Sequence, residues 1–353
     1  MKALEPRFPF RPVAIRRRVL HALEGGMYWT GAAAVYVRVC DARGAAIVAY
    51  HSVTDRSIAR WIDPRNAIPL EIFEAQMDFL ARRRKVVSMS ALVDALERGE
   101  DAEPGTVVIS FDDGYRDTLE LAAPILERYG LPAIVYLSTG NTARGVNQWV
   151  DELYSAFQFR TRHCLRLEGS DVPVYDLEKK DILLEAYHST AGRLVDREAS
   201  ERNELLEEVK TQLSVAERPP RLMLTWPEVK ELVRRYPGFE IGGHTREHLD
   251  LTACGEEAAR ADLEGSKADI AGELKVEVEH LAYPYGRTNE RIREMVAGSS
   301  LRSAVIGEST SLVHCGTDRF AMPRIEARSA MTRFRFQTSG AYPDLPLALL
   351  GRA

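Results

Sequence analysis

The sequence predicts an α/β fold built on a parallel sheet, and three observations lead there. The run Val107-Val108-Ile109 is β-branched, apolar and uncharged, as expected of a strand covered on both faces. Next come a helix-forming stretch from about Thr118 to Tyr129, stopped by Gly130, and a second apolar run, Ala133–Leu137; strand, helix and strand within about 30 residues mark a unit with parallel strands. The alternation continues towards the C-terminus and gives about seven strands, a number that suits an incomplete barrel as readily as an open sheet.

The remaining elements follow in order. Ala45–Tyr50 is a short apolar strand ending in His51. Ile72, Phe73, Met77 and Leu80 fall at helical spacing between Leu70 and Arg84, and Ser90 is the expected cap of a helix to about Arg98 with Leu92, Val93 and Leu96 inward. Pro104-Gly105 turns into the Val107 strand. Residues 141–222 break the alternation with charged sequence and helical stretches at 149–159, 176–194 and 197–214. Such an insertion either shapes a substrate groove or partner surface, or covers the sheet as a lid. Thr225, Pro227 and Glu228 open a helix to Arg235. The strand Phe239-Glu240-Ile241 runs into Gly242-Gly243-His244, and a helix covers about Gly255 to Gly272. His280–Tyr283 leads to Pro284-Tyr285-Gly286, a helix spans Asn289–Ala297, and Ser303–Ile306 and a strand ending at Pro323-Arg324-Ile325 complete the series. The domain so defined spans residues 45–330, with 1–44 as a peripheral helical segment and 331–353 as a tail.

The 353 residues, 45% hydrophobic and 28% charged, have the balance of a globular protein with room for one large domain or two smaller ones. A net charge of −5 argues against a nucleic-acid partner, which calls for a basic domain. Cys40, Cys164, Cys254 and Cys315 lie far apart, which points to no redox pair, cysteine zinc site or disulfide framework and favours a reducing compartment. No apolar run reaches the roughly 18 residues of a bilayer span. Gly25–Val37, preceded by Arg16-Arg17-Arg18, has the outline of a signal peptide, but Glu24 interrupts its flank and no small-residue cleavage site follows. The chain is therefore expected in the cytoplasm rather than secreted, with peripheral membrane contact open to Arg16–Arg18 and Trp29.

The chemistry gathers at two strand ends. Asp112 and Asp113 close the Val107 strand, and Gly114 lets the chain turn. Adjacent carboxylates repel, so unless this is an ordinary acidic turn it needs a cation or hydrogen bonds to offset the charge. Ligands of α/β proteins sit at such ends. His244 and His248 are four apart and would share a face on a helical turn. Two neutral imidazoles and a carboxylate, which Asp113 can supply, are a common ligand set for a divalent metal with open positions. Asp112 can then serve as general base towards a water that the cation makes more acidic. Such a site suits hydrolysis of an amide or ester.

Ser110-Phe111-Asp112-Asp113-Gly114, His244-Thr245-Arg246-Glu247-His248 and Tyr283-Pro284-Tyr285-Gly286, in that order, resemble the polysaccharide deacetylase family, the NodB-homology carbohydrate esterases, over roughly residues 45–330 apart from the insertion. The resemblance implies a distorted (β/α)7 barrel with a largely helical insertion. It implies removal of N-acetyl groups from an amino-sugar-containing polysaccharide or its precursor, with a divalent metal, typically Zn2+. It makes Asp112 the general base, Asp113, His244 and His248 the metal ligands, and the Tyr285 backbone N–H an oxyanion donor. Many members carry an arginine where Ala282 stands; Arg324 could reach the same carboxylate from a later strand. The family's leucine-x-histidine general-acid block is not evident, since the surroundings of His314 do not match it. His51 is the better second histidine, because Tyr50-His51 resembles the subgroup acting on exopolysaccharides; it would hydrogen-bond the base, the substrate or a leaving amine. Among the tryptophans, Trp149 at the start of the insertion is favoured over Trp61 and Trp226 for stacking on a sugar. Two alternatives stand beside this reading: a deacetylase or amidase of a small sugar nucleotide or glycolipid, and a non-catalytic, metal-containing carbohydrate-binding protein. The missing arginine motivates the second, and Asp112 counts against it.

Overall fold

The structure is a computed structural model that describes residues 44–195, 197–308 and 311–340, together with 26, 30–32 and 35. Arg16–Arg18, Trp29 and most of the N-terminal segment and tail lie outside the described residues. Among the described residues no helix is long and apolar enough to cross a membrane.

Seven strands form the centre: β1 (Ala45–Tyr50), β2 (Thr106–Phe111), β3 (Ala133–Leu137), β4 (Phe239–Gly243), β5 (His280–Ala282), β6 (Ser303–Glu308) and β7 (Met322–Glu326). Each runs parallel beside its sequence neighbour, and β7 pairs back onto β1, so the sheet closes into a barrel. Closure decides between the two arrangements left open by the strand count. The ring is distorted: β4 and β5 share the single pair Gly243–Leu281, and the register slips between β6 and β7.

Strand β2 is buried along its whole length and pairs with β1 from Thr106 to Phe111. Its interior hydroxyl, Ser110, donates to the Val48 carbonyl at 3.0 Å, so no polar group is left stranded. The two-residue period divides the strands between two cores. Ile47, Val108, Ile134, Tyr136 and Val305 belong to one, with helix Met89–Glu97; Val48, Ile109, Val135, Leu281 and Ala304 belong to the other, with the outer helices. That helix is capped by Ser88, whose hydroxyl accepts from Ala91 N–H at 3.2 Å, and not by Ser90. Ser90 lies one residue inside the helix and instead meets His280 at 3.0 Å. The stretch after β2 begins with a π turn, Thr118–Ala122, before Ala123–Tyr129 becomes α-helical.

Between β3 and β4 the chain leaves the barrel. Helices Trp149–Gln158, Lys180–Val195 and Ala199–Leu213 build a separate core from Leu153, Phe157, Tyr187, Leu194 and Val209. The expected helical start at 176 is an extended pair instead: Tyr175–Asp176 runs antiparallel to Cys164–Leu165. The start of the expected tail is also structured. Residues Met331–Gln337 form a helix that buries Phe334 and Phe336, with Phe334 edge-on to Phe79, so apolar spacing ties it to the barrel.

Candidate active site

The C-terminal ends of β2, β4 and β5 bring the site together. Gly242 lets β4 approach its neighbours: a Cβ there would lie 2.5 Å from the Tyr136 ring and 2.8 Å from the His280 carbonyl. Beyond that close contact the chain does not take the helical turn expected for His244–His248. Thr245 and His248 have φ of 62° and 51°, which fold the segment into an irregular loop. The two imidazoles still meet, with ring centroids 4.8 Å apart. Asp113, Thr245, His248 and Tyr285 are four of the six non-glycine residues with positive φ among the described residues. The other two, Ser214 and Lys275, end helices. Left-handed backbone is costly for side-chain-bearing residues, and here the strain is concentrated around one set of functional groups.

Asp113 Oδ1 lies 3.5 Å from His244 Nε2 and 3.2 Å from His248 Nε2, and all three side chains are buried. Their ligand atoms fall within 4.8 Å of one another. His244 donates from Nδ1 to the Ala282 carbonyl at 2.7 Å, which leaves Nε2 with its lone pair facing Asp113. Burial pulls the His244 pKa down to about 4 against the opposing pull of Asp112 and Asp113, so this ring is neutral near pH 7. Burial raises the Asp113 pKa, but the neighbouring His248 and His244 more than offset it and hold the carboxyl below its ordinary value. One anionic oxygen and two imidazoles with open nitrogens fit a divalent cation. Gln148 donates from Nε2 to the same Asp113 Oδ1 at 3.1 Å and to Ser138 Oγ at 2.9 Å.

Asp112 stands beside the triad with a different partner. Arg324 reaches it from β7 with two parallel hydrogen bonds, Nη1 to Oδ1 and Nη2 to Oδ2, each 2.7 Å. The Arg324 Nε donates to the Ile306 carbonyl at 2.9 Å, so the guanidinium plane is fixed from two sides. Burial works to raise the Asp112 pKa; Arg324 first, then His244, overcome it and hold the carboxyl well below the usual range. Ala282 is buried on β5 and serves through its carbonyl, which accepts from His244. His51 Nε2 is 4.0 Å from Asp112 Oδ2, beyond hydrogen-bond reach, so His51 neighbours Asp112 without bonding to it. His314 is at the other end of the barrel: Val313 bridges Ala45 at the start of β1, whereas Asp112 follows the end of β2.

Residues 99–303 match the model of the family described as polysaccharide deacetylase. The chain belongs to the polysaccharide deacetylase family. A stretch of 93 residues is 30% identical to YxkH of Bacillus subtilis (strain 168), whose name places it among polysaccharide deacetylases; the match spans 26% of this chain and 30% of that relative. The fold is similar to that of Streptococcus pyogenes deacetylase PplD in complex with acetate, with 17% identity and a TM-score of 0.55 over 84% of this chain and 98% of that one. IcaB from Ammonifex degensii is similar at 16% identity and a TM-score of 0.52, over 84% of this chain and 97% of that one. At such identities the likeness to these structures is one of fold.

In this deacetylase-family barrel the triad, Asp112, His51 and Arg324 line a cavity of about 380 Å³. The insertion adds Trp149, Val150, Tyr187, Ala191 and Val195 to its lining. Trp149 is not the stacking platform expected from sequence. It lines the cavity but is only 5% exposed, too little for a ring face to serve as a platform, and its Nε1–H donates to the Tyr285 hydroxyl at 2.9 Å. Trp61 and Trp226 are buried elsewhere, Trp61 against Phe159 and Trp226 in the main core. Tyr285 lies on the turn Pro284–Gly286 with φ 58°, and its ring meets His248 edge-on at 4.7 Å. Sequence reasoning missed Gln148 and Arg202. Arg202, buried on helix Ala199–Leu213, donates to the carbonyls of Glu247 at 2.6 Å and His248 at 3.1 Å. Their only sequence signal is membership of the insertion; neither forms a pattern with the aspartates or histidines it serves.

Proposed function

We propose that this chain is a metal-dependent hydrolase that removes N-acetyl groups from an amino-sugar-containing polysaccharide or its precursor, with Zn2+ as the cation. The observation that carries the reading is the convergence of His244 Nε2 and His248 Nε2 on Asp113 Oδ1, beside a second carboxylate, Asp112, fixed by Arg324. Asp113, His244 and His248 would hold a divalent cation, which would supply Lewis acidity towards the acetyl carbonyl and lower the pKa of a nearby water. Asp112 takes the proton as water adds to the carbonyl carbon; its low basicity suits a water already acidified. The Tyr285 backbone N–H is assigned to the oxyanion. The C–N bond then breaks, the nitrogen gains a proton, and acetate and a free amine leave. His51, the histidine in the cavity lining outside the triad, is assigned to the substrate nitrogen. Arg324 is assigned the orienting task usually given to an arginine at the position of Ala282.

The acetate in the similarly folded PplD supports an acyl group of that size. A small sugar nucleotide or glycolipid is the second reading, favoured by the insertion's share of the cavity lining. A cytoplasmic location, at or away from a membrane surface, belongs to the same proposal and to exopolysaccharide biosynthesis. The test is acetate release from N-acetylated glycans and nucleotide sugars by protein stripped of metal and reloaded with zinc, with Asp112→Asn as control. Zinc-dependent release that disappears in the variant is expected, and release that rises with chain length selects the polymer. Tight zinc binding without release from any substrate would favour the carbohydrate-binding alternative.

A further inference from the structure

The Tyr285 hydroxyl has three partners, two of which have roles fixed by chemistry. A phenol oxygen has one hydrogen to give and two lone pairs to receive. Trp149 Nε1, 2.9 Å away, can only donate, so it takes one lone pair. The His248 carbonyl, 3.2 Å away, can only accept, and it offers the hydroxyl hydrogen a partner that does not depend on the tautomer of the ring. That carbonyl's other lone pair is taken by Arg202 at 3.1 Å. One group remains: His248 Nδ1, at 3.1 Å, facing the second lone pair of the hydroxyl. A cation on Nε2 requires the His248 proton on Nδ1, and Nδ1–H then donates to the hydroxyl while the hydroxyl hydrogen goes to the carbonyl; with Nε2 protonated instead, the hydroxyl would donate to Nδ1. Nε2, which faces Asp113 Oδ1 at 3.2 Å, is then the nitrogen left to bind a cation.

We propose that the Tyr285 hydroxyl and the Trp149 indole N–H act together as positioning groups that hold the His248 proton on Nδ1 and reserve Nε2 as a metal ligand. This rests on reading Asp113, His244 and His248 as the metal site. It gives the insertion a chemical task, because Trp149 is its contribution to a proton placement on a barrel loop. His244 reaches the same state by another route, through the Ala282 carbonyl of β5. The two histidines therefore differ in what holds them, and His244 is an internal control.

The test uses Tyr285→Phe, which keeps the ring beside His248, and Trp149→Phe, which releases the hydroxyl from its fixed donor. Zinc affinity is measured by competition with a chromophoric chelator, and the histidine Nδ1–H signals of the zinc-loaded protein by 15N NMR. Tyr285→Phe is expected to weaken zinc binding by about 10–100-fold, the usual cost of losing an outer partner of a metal ligand. It should remove the exchange-protected Nδ1–H signal of His248 and leave that of His244. Trp149→Phe should give a smaller loss of the same kind, and the double variant should be no worse than Tyr285→Phe. Unchanged affinity and a retained His248 signal in Tyr285→Phe would overturn the proposal while leaving the metal site intact. Loss of both histidine signals would also overturn it, by showing collapse of the loop instead of release of one proton. Failure of the wild type to bind zinc would remove the metal reading itself.

Discussion

Replacing Arg324 by Met removes both hydrogen bonds to Asp112 and keeps most of the side-chain volume. Arg324 and Asp112 are about as buried as ionic side chains become, with side-chain exposures of 4% and 3%. The guanidinium occupies both carboxylate oxygens at 2.7 Å, while His51 approaches only to 4.0 Å. Removing one partner of a buried ion pair costs about 3–5 kcal/mol, because the other charge stays behind unpaired. At 1.36 kcal/mol per pKa unit, that energy corresponds to raising Asp112 by roughly 2–4 units if the variant responds by protonating it. The wild-type carboxyl is held low, so its contribution to stability is fully present above the unfolded value near 3.9 and is lost only as pH falls through the depressed folded value. In the variant the buried carboxyl titrates higher, and the penalty is felt mainly above its new pKa. The stability gap between the two proteins should thus be widest, and level, above the variant's new pKa and should narrow as pH falls below it towards the depressed wild-type value. Urea unfolding at several pH values measures the gap, and the acid limb of kcat/KM should move upward in parallel. Arg324→Lys keeps a charge but not the two-point geometry, and should fall between them. A gap under about 1 kcal/mol at pH 7, the scale of an exposed pair, together with an unmoved acid limb, would refute the reasoning.

Two further substitutions probe groups that the motifs do not contain. Gln148→Ala removes the amide that orients Asp113 Oδ1 and should weaken zinc affinity by about 10–100-fold without changing the overall fold, as chelator competition and circular dichroism would show. Asp117 is buried with its pKa raised to about 7 by burial, although the Ser52 hydroxyl and Val53 N–H bond its carboxylate. The folded state then holds an extra proton between about pH 4 and pH 7, so wild-type stability falls as pH rises through that window, by a few kcal/mol at most. Asp117→Asn should flatten that slope, and an unchanged slope in thermal melts across the window would contradict the assignment.

The alternation of apolar runs made the parallel α/β architecture legible because a strand buried on both faces has to be apolar throughout, and β2 is such a strand. Closure was not legible. It depends on the pairing of β7 with β1, two segments at opposite ends of the chain that carry no mutual signal. Local errors have local causes. Ser88 and Ser90 both precede the apolar positions of one helix, and the choice between them was made by Ser90 facing His280 across the barrel end. Tyr175–Asp176 left the expected helix because a short antiparallel partner, Cys164–Leu165, was available within the insertion.

The site divides in the same way. Asp112, Asp113, His244 and His248 were legible because acid pairs and spaced histidines at strand ends are rare and chemically explicit. The histidine pair forms by a different route from the predicted helical turn: His244 and His248 converge through positive-φ backbone and not through helical spacing. Trp149 shows the deeper difficulty. An aromatic residue lining the cavity invites a stacking role, yet one hydrogen bond to Tyr285 turns it into a support for His248. A side chain's type bounds what it can donate or accept, while its task is set by which neighbour has already used those capacities. Gln148, Trp149 and Arg202 illustrate this together: all three come from the insertion, and all three reach Asp113, His248 or Tyr285, which neighbours His248. A segment that interrupts the sequence pattern of the barrel is, in the folded chain, the outer layer of its metal site.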